Sequence, residues 1–470
     1  MVLGTIAEGV TRSVEAITAP VTGLFTDPTI RLGVTGLSRA GKTVFITSLV
    51  ANLLDRGRMP QLLGAANGSI QAAYLQPQPD DTVPRFEYER HLATMTGTEP
   101  RWPDGTRAVS ELRLSLKVQP QGLMGALGGP RTVHLDIIDY PGEWLLDLGL
   151  LDKDYATWSR EVLARLPGRP GGDAYLQIAA TVTADETHDE PRAQALSGAF
   201  TDYLNAARAA GFSDCTPGRF LLPGEMEGSP VLTFAPLDID GGQRRSLRRE
   251  MERRYEAYKA KVVKPFFRDH FARIDRQVVL VDALGAIHDG PRAVEDLRQA
   301  LADILGAFRA GRNAFLSQIL LGKRVDRILF AATKADHLHH TQHPRLTAIM
   351  AALTRDARDR AQFAGAETQA MSIAALRTTT EDTVSHAGED LPAVTGVATD
   401  GQRVAFYPGE LPTDPARILS PARNGAEDWP FGDVEVQSFR PPVQSLAPGD
   451  GPPHIRLDKA LEFLIGDRLR

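Results

Sequence analysis

The sequence holds a single cysteine and no run of 18 or more apolar residues. Cys215 therefore has no partner for an intramolecular disulfide and no second thiol for a CxxC metal site, which favours a reducing compartment, with the cytoplasm as the default. No segment is long and apolar enough to cross a bilayer as a helix, and the N-terminus, MVLGTIAEGVTRS, lacks the basic start and apolar block of a secretory signal. An excess of charge of one sign is also missing: 53 Lys+Arg stand against 59 Asp+Glu, a formal net charge of -6. Such a balance gives no general attraction to polyanions, so the expectation is no nucleic-acid partner. What is present, 470 residues with 42% hydrophobic and 24% charged, is the make-up of a globular chain with room for two or three domains.

In residues 1–29, Leu3, Ile6, Val10, Val14 and Ile17 recur at helical spacing and Pro20 ends the pattern, which predicts an amphipathic helix. Its polar side sets one Arg against two Glu, so packing on its own domain is favoured and peripheral membrane contact is the second option. Ile30, Leu32 and Val34 alternate as a strand and lead through a glycine-containing loop into a helix with Ile46, Leu49, Val50 and Leu53 on one face. Residues 56–105 show no firm period and read as a long loop with short helical pieces. Leu112 to Val118 and Val133 to Ile137 predict a hairpin, the first strand with one wet face. Val278 to Val281 and Ile328 to Ala332 are short, continuous apolar runs of the kind found in parallel strands covered on both faces, and Gln369 to Ala375 predicts a last strand. The expected fold is α/β, a doubly wound, mixed but mostly parallel sheet formed by 30–150 and 276–376.

Residues 151–275 exceed an ordinary sheet connection and predict a mostly helical insertion domain. Its arginines at 244, 245, 248, 249, 253 and 254 are interleaved with Glu250, Glu252 and Glu256, which predicts a solvated, salt-bridged face rather than a site for nucleic acid or acidic lipid. A C-terminal extension, 377–470, carries Asp400-Gly401 between two strand-like runs, a type I′ hairpin signal, and closes with a helix presenting Leu457, Leu461, Leu464 and Ile465.

Chemistry concentrates at three places. GLSRAGKT at 36–43 satisfies G-x-x-x-x-G-K-[ST] between a strand and a helix. There the backbone N–H groups and the helix N-terminus converge on an anion, Lys42 reaches the β- and γ-phosphates, and the Thr43 hydroxyl ligates Mg²⁺. Asp139-Tyr140-Pro141-Gly142 ends the second hairpin strand, where Asp139 can hold Mg²⁺ directly or through a water and the Gly142 N–H can meet a γ-phosphate. Thr333-Lys334-Ala335-Asp336 ends a central strand, at the edge where such sheets bind ligands. The Asp336 carboxylate suits guanine N1–H and the exocyclic amine, which adenine does not offer in that geometry, and the Lys334 stem can pack on the purine face.

In this order the motifs resemble those of Ras-like P-loop GTPases, with Ser372-Ile373-Ala374 similar to their last base-contacting loop. More closely, GLSRAGKT, the Trp102-Pro103 to Thr106 segment, DYPGEW at 139–144, TKAD, FYPGELP at 406–412 and the closing LDKALEFLIGD resemble the YcjX-like family of bacterial stress-induced GTP-binding proteins. That resemblance implies a Ras-like domain, GTP and GDP as ligands, Mg²⁺-dependent hydrolysis to GDP and phosphate, a role in envelope stress and an inner-membrane stress protein as partner. Carried over, Gly36, Ser38, Arg39, Ala40, Gly41, Lys42 and Thr43 form the phosphate loop, Asp139, Gly142 and Glu143 the second switch, and Lys334, Asp336, Ser372 and Ile373 the guanine site. Thr106 is the first-switch hydroxyl for Mg²⁺ and γ-phosphate, with Thr94, Thr96 and Thr98 as rivals.

Two departures from the Ras pattern bear on mechanism. Glu143 stands where such enzymes often have a water-orienting Gln; a carboxylate can orient water, yet the γ-phosphate repels it. Ser38 occupies a position where Gly commonly leaves room for an arginine finger, which leaves Arg39 and Arg107 as candidates in cis and predicts slow turnover. Two competing readings are a nucleotide-stabilised scaffold with negligible hydrolysis and an ATPase. The histidines at 337, 339, 340 and 343 lack cysteines and an established ligand spacing, so they read as loop histidines rather than a zinc site.

Overall fold

The computed structural model describes residues 27–37, 39–105, 108–120, 129–239, 241, 243–269, 273–306, 325–386, 388–444 and 446–470. The expected N-terminal helix up to residue 26, Ser38, Thr106 and Arg107 lie outside the described residues.

Ten strands are formed by the described residues: β1 Thr29–Gly36, β2 Ile70–Gln76, β3 Ser110–Val118, β4 Arg131–Asp139, β5 Arg276–Val281, β6 Arg327–Ala332, β7 Glu367–Ser372, β8 Thr380–His386, β9 Glu389–Val397 and β10 Arg403–Phe406. The first seven make one mixed, mostly parallel sheet in the order β2-β3-β4-β1-β5-β6-β7. Four neighbouring pairs are parallel, β4 with β1, β1 with β5, β5 with β6 and β6 with β7, while β3 runs antiparallel to both of its neighbours, β2 and β4. The register sets Val34 beside Asp139 and Gly36 beside Leu280. Because these strands share a direction, every loop that leaves a parallel strand at its C-terminal end emerges at one edge of the sheet.

The apolar runs alternate between two faces. Val278 and Leu280 of β5 and Leu329 and Ala331 of β6 join the core beneath α1 (Lys42–Leu54). Val279, Val281, Ile328, Phe330 and Ala332 join the opposite core. That second core takes in the short helix α2 (Gly142–Leu146), then α3 (Tyr155–Arg165), α4 (Glu190–Ala209), α5 (Leu247–Tyr258), α6 (Pro291–Gly306) and α7 (His343–Leu353). Helices α3, α4 and α5 bury their apolar sides on this face of the sheet, so the sheet supplies part of their core. A closing helix, α8 (Leu457–Ile465), covers the α1 side with Leu457, Leu461, Leu464 and Ile465.

Three expectations are corrected here. Strand β2 lies inside the stretch read as loop; IQAAYLQ has few β-branched or aromatic residues because it is an edge strand, buried only at Ile70. The face of β3 read as wet is wet only in part: Lys117 is exposed and Arg113 half-buried, but Ser115 is fully buried, and Arg113 grips the fully buried Asp136 through two hydrogen bonds of 2.6 and 2.8 Å. The β9–β10 hairpin exists, with Val397 opposite Arg403, and β8 adds a third strand. Its connection is longer than a type I′ turn, however, and only Gly401 has positive φ, 92°. The arginine run is salt-bridged as read, Arg249, Arg253 and Arg254 meeting Glu252 and Glu250 at 2.6–2.9 Å and Arg248 pairing with Glu252, but it is not a wholly solvated face, because Arg248 and Arg254 are buried.

Candidate functional site

At the shared sheet edge the loops enclose a cavity of about 570 Å³. One end is the phosphate loop. Leaving β1, the chain turns through Arg39, with φ 64°, and Gly41, with φ 79°, before α1 begins at Lys42. Ala40 N–H closes the turn on Leu37 O at 3.2 Å. Lys42 Nζ lies across the loop mouth and donates to Gly36 O at 2.8 Å, the place from which a lysine can swing to a phosphate. Arg39, Ala40, Gly41, Lys42 and Thr43 all line the cavity. Gly36 does not, and its backbone is needed for packing: a Cβ there would stand 2.8 Å from Leu280 O and 2.9 Å from Ala40 Cβ.

Beside this loop, β4 delivers Asp139, 2% exposed, and α2 begins at Gly142. A Cβ on Gly142 would sit 2.1 Å from Gly36 O, so the second-switch glycine is pressed directly on the phosphate loop. Glu143 follows, 5% exposed and lining the cavity, with Oε1 held 2.8 Å from Arg208 Nη2. Arg208 lies in the last turn of α4, and Ala209, which ends the helix, offers its carbonyl to Arg39 Nη2 at 3.4 Å. Two residues of one insertion helix thus touch both the phosphate loop and the switch. Thr43 and Asp139 supply hard oxygen donors from adjacent parts of this end, a set that suits Mg²⁺. The hydroxyl of Thr43 donates to Asp104 O at 3.4 Å, which brings the segment before Thr106 against the loop. Gly105 lines the cavity, whereas Thr94 and Thr96 bond back to Arg90 O and Leu92 O within their own helix.

The other end belongs to TKAD. Thr333 N–H donates to Val281 O at 2.9 Å, Lys334 adopts φ 59°, and its ammonium pairs with Asp282 at the end of β5. Asp336, 3% exposed, accepts from Thr378 at Oδ2 twice, from N–H at 2.8 Å and from Oγ1 at 2.6 Å. His337 packs edge-on against Phe439 with ring centroids 5.2 Å apart, and burial holds its imidazole below the ordinary value, in the neutral form.

The profile of the YcjX-like family (DUF463) matches residues 30–469. The chain belongs to this family. Two relatives bear the name Ras-like GTPase YcjX. The one from Escherichia coli K12 is 38% identical over 461 residues, covering 94% of this chain and 97% of its own length. The one from Shewanella oneidensis MR-1 is 34% identical over 470 residues, covering 94% and 95%.

In this YcjX-like chain, Arg39 to Thr43, Glu143, Lys334 and Asp336 converge on one cavity. Ser372 and Ile373, expected in the base loop, do not line it. The Ser372 hydroxyl is fully buried between His343 O, to which it donates at 3.1 Å, and the Arg456 guanidinium at 2.9 Å. The loop turns into the cavity two residues later, where Ala374, Ala375, Leu376 and Thr378 form its wall. Sequence reasoning also missed Asp282, Arg208 and Thr378. An aspartate closing the apolar run 278–281 was a legible signal for Asp282; for Arg208, on a helix of the insertion, no local signal exists. Among the described residues no helix is long and apolar enough to cross a membrane.

Proposed function

We propose that this chain binds GTP and GDP with Mg²⁺ and hydrolyses GTP slowly, as a nucleotide-controlled switch in bacterial envelope stress. The observation that carries the reading is that the phosphate loop and the Asp336 carboxylate open into the same cavity, one at each end. The names of the two relatives support guanine over adenine.

In this reading the N–H groups of Arg39 to Lys42 and the start of α1 hold the phosphates, and Lys42 leaves Gly36 O to bridge the β- and γ-oxygens. Thr43, Asp139 and, from the first switch, Thr106 would hold Mg²⁺, which would neutralise charge on the phosphates. Gly142 N–H donates to the γ-phosphate. Asp336 accepts from guanine N1–H and the exocyclic amine, steadied by Thr378, and Lys334 packs along the purine while Asp282 fixes its ammonium. Glu143, released from Arg208, orients the attacking water; while paired it is held in place and its charge is met, which keeps turnover slow. The insertion 151–275 and the extension 377–470 present the partner surface, an inner-membrane stress protein being the partner that the family resemblance implies.

Competition of GTP, GDP and ATP against one fluorescent guanine nucleotide, with and without Mg²⁺, tests the core of this reading. Guanine nucleotides displacing the probe far better than ATP support it; equal competition by ATP makes the protein a general P-loop NTPase. The Glu143–Arg208 pair favours a second reading, a GTP-stabilised scaffold that does not turn over. Loss of a measurable rate in Glu143→Ala supports the switch, and no rate in either form supports the scaffold.

A further inference from the structure

We infer that His339, His340 and Glu381 form a binding site for a divalent transition-metal ion, with zinc the best match to the ligand set. One ligand atom from each residue lies within 4.8 Å of the other two. Glu381 Oε2 stands 2.7 Å from His340 Nδ1 and 3.9 Å from His339 Nε2, and the two imidazole centroids are 4.3 Å apart. Tetrahedral ligands about 2.0–2.1 Å from a zinc ion are roughly 3.3 Å from one another, midway between these separations.

The chemistry agrees with the spacing. Two imidazoles and one carboxylate are a zinc-type donor set, whereas Mg²⁺ and Ca²⁺ take oxygens. Thr341 sets the orientation of the His339 ring: its backbone N–H donates to Nδ1 at 3.5 Å and its Oγ1 lies 3.0 Å from the same atom, which leaves Nε2 on the side of Glu381. The nearest guanidinium, Arg377 Nη2, is 3.9 Å from Oε1 and leaves Oε2 to the ion. His340 is 62% exposed, so a water can take the fourth position. Sequence spacing could not reveal this, because the carboxylate arrives from β8, 41 residues away.

The site joins the loop that follows Asp336 to the strand that follows Thr378, the two segments that meet at the Asp336 carboxylate. An ion there ties them together behind the base site, and this consequence rests on the guanine reading. The ion-binding claim does not.

Full-length protein freed of metal by a chelator, in excess Mg²⁺, is titrated with Zn²⁺ against a chromophoric chelator and with Co²⁺ by visible absorption. One equivalent binds in the micromolar range with the spectrum of a four- or five-coordinate ion, and His339→Ala, His340→Ala and Glu381→Gln each weaken binding roughly tenfold or more. His188→Ala, which removes a surface His–Glu pair of 3.4 Å that lacks a third ligand, changes nothing. Millimolar binding, or micromolar binding unaffected by all three substitutions, overturns the inference and leaves the cluster a pair of ion contacts. Zn²⁺ also tightens guanine-nucleotide binding in the natural chain but not in Glu381→Gln. Failure of any guanine nucleotide to bind, with the cobalt spectrum intact, counts against the proposed function alone.

Discussion

Asp336→Asn separates guanine recognition from a carboxylate that merely starts a helical turn. The neighbouring contacts decide how the new amide sits. Oδ2 now accepts Thr378 N–H at 2.8 Å, and a backbone N–H cannot turn away, so the Asn carbonyl must take that position and the NH₂ must face the base. Guanine then meets a donor where its N1–H and exocyclic amine need acceptors. Two hydrogen bonds to a charged group contribute roughly 1.5–3 kcal/mol each, so guanine affinity falls by about 3–6 kcal/mol, a factor of roughly 10² to 10⁴. Xanthine, with a carbonyl at C2, pairs with the amide and gains. The assay is displacement of a fluorescent nucleotide by GDP and XDP. Thr378→Val is the companion: it removes the 2.6 Å hydroxyl bond and keeps the N–H, so guanine affinity drops modestly and xanthine gains nothing. Unchanged GDP binding in Asp336→Asn, with no gain for XDP, would refute the argument.

Arg208→Ala leaves Glu143 nearly buried without its cation; the expected result is a stability loss of about 1–3 kcal/mol in urea and a changed GTP turnover with GDP affinity little altered. Unaltered turnover would mean the pair is structural only. Asp147 gives a pH test. Burial among apolar groups raises its carboxyl from 3.8 to about 7, although Tyr258 O–H and Gly218 N–H both donate to it. Between these values the folded chain keeps a proton that the unfolded chain has released, so this contribution is full below the lower value and is lost as pH rises to the upper one, about 4 kcal/mol in all. Urea midpoints from pH 4 to 8 should therefore decline more steeply in the natural chain than in Asp147→Asn, and equal slopes would sink the assignment.

What the sequence made legible was contiguous. GLSRAGKT could be read because strand, loop and helix follow one another, and DYPG and TKAD because each ends an apolar strand. Parallel neighbours then bring such strand ends to one edge whatever separates them in the chain. What stayed hidden depends on contacts between distant segments. Thr378 reaches Asp336 across 42 positions, Arg208 reaches Glu143 from the insertion, and Glu381 meets His340 from β8. The base loop shows the same limit: Ser372-Ile373-Ala374 matches a short pattern, but Arg456 and His343 hold Ser372 on the buried side, and the chain reaches the cavity wall only at Ala374. Strand β2 escaped because an edge strand needs little apolar alternation.

The close approaches around α2 bear on how a nucleotide signal would leave the site. Gly142 presses on Gly36 O from one side. On the other, a Cβ at Gly218 would stand 2.2 Å from Glu143 O, 2.5 Å from its carbon and 3.0 Å from Trp144 N, all backbone atoms that cannot rotate aside. Gly218 N–H also donates to Asp147 Oδ1 at 2.8 Å, and Arg219 lies 3.2 Å above the Trp144 ring. The switch segment is therefore gripped between the phosphate loop and the insertion, and a shift at Gly142 cannot occur without one of these contacts giving way. Gly218→Ala pushes the insertion off α2; Gly218 does not itself line the cavity, and of the wall residues it presses only on the backbone of Glu143, away from the phosphate loop and the Asp336 end. The expected result is GTP and GDP affinity within a factor of about three, below roughly 1 kcal/mol, together with loss of any GTP-against-GDP difference in hydrogen exchange over 190–221. A nucleotide-dependent difference that survives in Gly218→Ala would show that the signal bypasses this contact and leaves through the first switch instead.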